Sequence, residues 1–222
     1  MGFYRGPHIV TDGLVLHLDA ANTKSYPGSG TTWSDVSGND NNGTLTNSPT
    51  FSSSNSGTFN FDESNDYVKI DNTSILPTAA YTKIAAFRPE SSTSNIISGG
   101  STGDSGQHAF WMGGTSTTLQ SGHNGNWSTV AYSPGDMLNQ WWIGAVTFNT
   151  VTGWVLYLNG QQVDTDASTA TFIGGNTVRI GAYNDAANLF DGDISTVMIY
   201  NRALTPQEVL QNYNATKSRF GL

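Results

Sequence analysis

Short runs in which apolar and polar side chains alternate recur along the whole chain. In "GLVLHLDA", Leu14, Leu16 and Leu18 share one face of an extended segment, with Val15 and His17 on the other. Successive strand side chains point to opposite sides, so this alternation predicts a half-buried strand. "TFNFD", "DYVKID", "YTKIAAFRPE", "NIISGG", "HAFWMGG", "STVAYS" and "NTVRIGAY" read the same way, each bounded by Gly, Asn, Ser or Pro. Between 140 and 166, "WWIGAVTFN" and "GWVLYLN" are joined by "TVT", and Asn159-Gly160 leads into "QQVDTD". Asn-Gly accepts positive φ at both central positions of a type I′ turn, so this stretch predicts a three-stranded meander.

One helix is predicted, at about 205–215. Thr205 is a natural N-cap, Pro206 suits the first helical position, and Glu208 can complete a capping box. Val209, Leu210 and Tyr213 form its apolar stripe. About a dozen strands and one terminal helix predict an all-β fold of two packed antiparallel sheets. With no internal repeat or long linker, residues 13–222 read as one domain behind an N-terminal arm, residues 1–12.

Composition narrows the functional classes. A chain of 222 residues suits a single β-sandwich, and the absence of cysteine excludes disulfides, thiolate zinc sites and cysteine nucleophiles. Charged residues make up only 12%, with 17 acidic against 9 basic and a net charge of −8. That field repels phosphate backbones and argues against nucleic acid as a partner. No apolar run is long enough to insert into a membrane.

The segment "DVSGNDNNGT", residues 35–44, contains a single apolar side chain, Val36. Asp35, Asn39, Asp40, Asn41 and Asn42 offer hard oxygens, and Gly38 and Gly43 permit tight turns, a chemistry suited to Ca²⁺. The same residues also suit a plain surface turn held by Asx hydrogen bonds.

Three blocks carry a resemblance. "GLVLHLDAAN" with "WSDVSGNDNNGT" and "FNFDESNDYVKI", then "WWIGAVTFNTVTGWVLYLNGQQV", then "FDGDISTVMIYNRALTPQEV" resemble laminin-G-like, concanavalin A-like jelly rolls of the lectin/glucanase superfamily. The resemblance spans roughly residues 13 to 213 and implies a two-sheet antiparallel jelly-roll sandwich. It further implies a structural calcium held by Asp35, the Asn39 carbonyl and Asp193. Ser195 and Thr196 stand where the family usually carries a second acid, which departs from that pattern. The chain's two ends are similar to small structural proteins of marine tailed bacteriophages.

Catalysis finds little support. Glycosidases need paired carboxylates, and Glu63, Glu90 and Glu208 are isolated from one another, with no strand of alternating acids. Sugar binding has more. Lectin sites stack an aromatic ring on the apolar face of a sugar and meet its hydroxyls with amides, His and Asp. Residues 104–132 concentrate Asp104, Gln107, His108, Trp111, His123, Asn124, Asn126 and Trp127. If "QHAFWMG" and "TLQSGHN" are neighbouring strands, His108 and His123 project from one rim. Strand alternation puts His108 with Phe110 and sets Trp111 on the opposite face, and aromatic residues in such a strand are often simply core. The two histidines lack an evident third ligand for a metal.

The expectation is a non-enzymatic virion component displayed on a phage head, tail or fibre. Other virion proteins and host-surface glycans are its expected partners, and a homo-oligomer is left open. The alternative is a stand-alone extracellular lectin module; a glycosidase is the remote third.

Overall fold

The computed structural model describes residues 7–92, 94–99, 107–113, 118–123, 125–172, 177–183 and 188–222. Seventeen strands lie among them, beginning with β1 (Leu14–Asp19), β2 (Thr32–Trp33), β3 (Gly43–Thr46), β4 (Thr50–Ser52), β5 (Thr58–Asp62) and β6 (Tyr67–Ile70). Next come β7 (Ala80–Pro89), β8 (Ser94–Asn95), β9 (Ile97–Gly99), β10 (His108–Gly113), β11 (Thr118–His123) and β12 (Asn126–Tyr132). The last are β13 (Trp142–Asn149), β14 (Gly153–Leu158), β15 (Gln161–Asp166), β16 (Val178–Ile180) and β17 (Asp191–Tyr200). Helix α1 (Pro206–Thr216) and a 3-10 turn at Lys217–Phe220 close the chain.

The strands form two antiparallel sheets. The eight-stranded sheet runs β15-β14-β13-β7-β17-β5-β4, with β1 also paired to β17. The nine-stranded sheet runs β12-β11-β10-β9-β16-β6-β3-β2, with β8 also paired to β10. Their inner faces meet in one apolar core. Phe59, Phe87, Phe148 and Ile194 from the first sheet pack with Val68, Ile97, Phe110 and Ile180 from the second. Each such fully buried side chain contributes about 1.5–3 kcal/mol relative to exposure.

The predicted meander is present as β13, β14 and β15, and Asn159 and Gly160 both have positive φ, 49° and 75°. The alternation read in β1 holds only in part. A bulge lies between Leu14, opposite Tyr200, and Leu16, opposite Ile199. It adds one residue on the β1 side, so Leu14 packs on the outer face while Leu16 and Leu18 enter the core. A second bulge at Ser195 resets β17 in the same way, so that Ile194 shares the inner face with Val197 and Ile199.

The outer face of the eight-stranded sheet is also apolar, because α1 covers it. Val209 and Phe220 pack there against Ile84, Ala145, Met198 and Tyr200. The capping box forms as predicted, with Thr205 Oγ1 accepting from the Glu208 amide and the Glu208 carboxylate accepting from the Thr205 amide. Described residues of the N-terminal segment dock on the same face. Val10 N–H donates to Asn212 Oδ1 and Val10 O accepts from the Tyr200 hydroxyl, both at 2.8 Å. No helix among the described residues is long and apolar enough to cross a membrane.

Candidate functional site

Strand β10 sends its side chains in two directions. His108, Phe110 and Met112 point into the core, while Ala109 and Trp111 lie on the outer face of the nine-stranded sheet. On that outer face, Trp111, Trp127 and Tyr183 surround a shallow depression completed by Asn95, Ala109 and Asn188, with a volume of about 80 Å³. The indole N–H of Trp111 donates to Trp127 O at 2.9 Å, which fixes the ring. Trp127 and Tyr183 meet edge to face, with centroids 5.4 Å apart. Gly113 makes room for this arrangement, since a Cβ there would lie 2.3 Å from the Trp111 ring.

The depression has two kinds of surface. Its rings offer apolar faces and the exposed Asn188 offers an amide, while Asn95 is buried beneath. Asn95 is held in place: its Nδ2 donates to Asn188 O at 3.1 Å and its Oδ1 accepts from Ser98 Oγ at 2.5 Å. Asn188 sits at φ 50°, a left-handed conformation that Asn tolerates, and its side chain is exposed. The site is far smaller than the ~300–1,000 Å³ of clefts that engulf a ligand, so it suits one ring face rather than a whole molecule.

Of the sugar-site residues predicted from sequence, the structure brings together Trp111 and Trp127. Asp104 and Asn124 lie outside the described residues. Gln107, just before β10, is half-buried, and Asn126 is exposed at the start of β12; neither lines the depression. Asn95, Tyr183 and Asn188 complete the site from distant segments that carry no local motif.

His108 and His123 require correction. They do pair across β10 and β11, but on the inner face rather than on a rim. His108 is fully buried and His123 is 6% exposed. The His123 ring is enclosed by Phe148, Trp154 and Phe172, and its Nε2 bonds the Tyr81 hydroxyl at 2.7 Å. His108 Nδ1 meets the buried Lys83 Nζ at 2.7 Å, and Lys83 also donates to Ile97 O at 3.1 Å. His108 Nε2 has no hydrogen-bond partner among the described residues. Burial, reinforced by Lys83, drives His108 well below the ordinary imidazole range and His123 down to about 3. Burial likewise pushes the Lys83 ammonium well down and the Tyr81 phenol well up.

The residues implied for calcium do not fit a shared ion. Asp35 Oδ1 accepts from the amides of His17 and Ser37, each at 2.8 Å. Its Oδ2 accepts from Ser37 Oγ at 2.8 Å and from the Asn41 amide at 3.0 Å. Four donors aimed at one carboxylate satisfy it without a cation. Asp193 is held elsewhere, by Arg88 Nε and Nη2 at 2.9 and 2.7 Å and by Asn60. Asp35 anchors at His17, which lies opposite Met198, five positions along β17 from Asp193. One of those positions is the Ser195 bulge, so at ~3.3 Å per paired residue that is about 13 Å. Asn39 turns its amide to Leu14 O. Among the described residues no group of three or more His, Asp or Glu side chains could hold a metal.

The Asn-rich segment has a different role. Among the described residues no strand pairs with the outer edge of β1, and the segment supplies a partner there, mostly from side chains. Asp35 takes the His17 amide, Asn39 and Asn41 donate to Leu14 O and Val15 O, and the Val36 amide donates to His17 O. It masks a sheet edge that would otherwise offer unpaired backbone groups.

Among the described residues no carboxylate lines the depression. Glu208 is drawn down to about 2, chiefly by its bond to Arg202, and Glu90 is bound by Arg88. Asp66 is raised to about 6 by burial and by Asp62, but it does not line the depression.

Comparison with known proteins places this architecture. The family described as the concanavalin A-like lectin/glucanases superfamily matches residues 62–210, and the chain belongs to it. The fold is its all-β, two-sheet jelly-roll sandwich with one short C-terminal helix. No curated protein sequence matches the chain. Among solved structures it is similar to domain 4 of AbnA, a GH43 extracellular arabinanase from Geobacillus stearothermophilus, in complex with arabinotriose. That match has a TM-score of 0.69 and 18% identity, covering 90% of this chain and 98% of that one. It is also similar to the binding domain of botulinum neurotoxin DC in complex with SialylT, with TM-score 0.69, 16% identity, 93% coverage here and 52% there. A Trypanosoma rangeli sialidase mutant displaying trans-sialidase activity gives TM-score 0.68 and 15% identity, covering 96% of this chain. This chain thus spans about half of the neurotoxin chain and 34% of the sialidase chain.

Proposed function

We propose that this protein is a non-catalytic, glycan-binding jelly roll whose site is the aromatic depression on the outer face of the nine-stranded sheet. The observation that carries the reading is the convergence of Trp111, Trp127 and Tyr183 beside the exposed Asn188. A sugar ring has an apolar face that stacks on an indole and hydroxyls that an amide can bind, and fixed aromatic rings provide that area at little entropic cost. The AbnA domain and neurotoxin domain, both solved with saccharides, support the reading.

The biological setting we propose is a virion component of a tailed phage, decorating the particle or holding it to host-surface glycans, with other virion proteins as partners. The resemblance of the chain ends to small phage structural proteins supports this setting. A stand-alone extracellular lectin would use the same depression without a particle. Immunogold labelling of purified virions separates the two, and an unlabelled particle removes the virion reading. For binding itself, the test is a glycan array probed with the full chain and with Trp127→Ala. Glycan retention by the wild type and its loss in the variant is expected; equal signals would remove the depression as the site.

A further inference from the structure

Building on the glycan-binding reading, we infer that the depression takes uncharged sugars and rejects sialylated and sulfated ones. Among the described residues the lining contains three aromatic rings, two asparagines and an alanine, and no Lys, Arg or His. An anion seated there exchanges water for ring faces and amides. A charged group desolvated without a counter-charge costs far more than a hydroxyl that keeps a hydrogen bond.

Nor do most of the described cations stand ready to help, and Lys24, though exposed, does not line the depression. Lys83 is sealed in the core. Arg88, Arg202 and Arg219 are bound to Asp193, Glu208 and Asp19, and Lys69 faces Asp71. Lys217 lies over the Tyr213 ring, by the helix on the opposite sheet. Arg179 shares the outer face of the nine-stranded sheet, in β16, which β9 separates from β10. It is 8% exposed and already engaged, so an anion would have to take it from an existing partner.

The segments outside the described residues add nothing positive between Thr93 and Ala187. Residues 100–106, 114–117, 173–176 and 184–187, with Thr93 and Asn124, contain Asp104 and Asp185 but no Lys, Arg or His. They contribute no positive charge to a chain whose net charge is −8. Acidic sugars therefore meet repulsion on approach as well as a desolvation cost on arrival.

The test is titration calorimetry with the full chain against pairs that differ only in charge: lactose and sialyllactose, then arabinotriose and a sulfated arabinotriose. Added charge is expected to weaken binding about tenfold or more. The neutral ligands should bind equally across roughly 20 to 200 mM salt, because no charge pair is screened. Charged partners that bind as tightly as neutral ones, or more tightly, would overturn the inference while leaving the glycan site standing; loss of that binding in Arg179→Gln would then name the missed cation. Silence from every saccharide, joined to an array on which wild type and Trp127→Ala look alike, would remove the underlying site and the inference with it.

Discussion

Lys83 of one sheet and His108 of the other meet at 2.7 Å inside the sandwich, each with no measurable exposure. Among the described residues no acid contacts this pair, and the hydrogen-bond partners of Lys83 there are His108 and Ile97 O. The neighbouring groups are Tyr81, His123 and, at longer range, Arg179. A polar bridge in such a place links the layers but is costly to break on one side. His108→Leu leaves the buried Lys83 nitrogen without its imidazole partner and should cost about 1–3 kcal/mol. Adding Lys83→Met removes the stranded polar group, and the double variant should recover most of that loss. Urea denaturation of the three proteins measures the coupling; additive effects would mean that the contact carries no energy.

The same cluster sets the response to acid. Unfolded imidazole takes a proton near its ordinary value of 6.5, while folded His123 waits until about 3 and His108 is also held well down. Between those limits the unfolded chain binds more protons, so stability is full above about pH 6.5 and drains as pH falls toward 3. His17 adds in the same direction, and Asp66, raised to about 6, opposes it. The lowered Lys83 drains stability below its ordinary 10.5 as well, and the raised Tyr81 does so above 10. Maximum stability is therefore expected on the alkaline side of neutrality. Melting temperatures from pH 4 to 10 check this, and the Lys83→Met/His108→Leu double variant should show a flatter acid limb.

Asp35 should behave as a structural hub that needs no metal. Asp35→Ala leaves the amides of His17, Ser37 and Asn41 without their acceptor, for an expected loss of about 2–3 kcal/mol. Chelators should leave the wild-type melting temperature unchanged. A drop of several degrees on chelation would restore a bound cation to the picture.

The two indoles should separate ring from hydrogen bond. Trp127→Ala removes a wall of the depression and should abolish saccharide binding with little change in stability. Trp111→Phe keeps an aromatic face but loses the bond to Trp127 O, so binding should weaken by about tenfold or less. Calorimetry on both variants checks the order; a larger loss in Trp111→Phe would shift the main contact to that ring.

How much of this was legible in the sequence depends on how local the cause is. The meander at Asn159-Gly160 and the capping box at Thr205 and Glu208 are set by neighbours a few residues away, and both were readable. So was the division of β10, with His108 and Phe110 on one face and Trp111 on the other. The bulges at Val15 and Ser195 left no mark, since an extra residue is visible only against its partner strand. Lys83 passed unnoticed because β7 is buried on both faces by the core and by α1, which erases the alternation that would expose an intruder. Tyr183 and Asn188 reach Trp111 only through the folding of remote segments. The Asn-rich segment offers either cation ligands or an Asx-bonded surface turn by sequence, and the structure shows the Asx contact at Asp35 and Ser37 together with side chains consumed by the edge of β1.

Val10 and Phe220 both lie on the covered face of the eight-stranded sheet, while Trp111 and Trp127 look out from the other side of the sandwich. A tether or fusion joined near either of those positions therefore holds the molecule from behind. Mounted in that way in a dense array, each copy would turn its indoles toward whatever surface the array approaches.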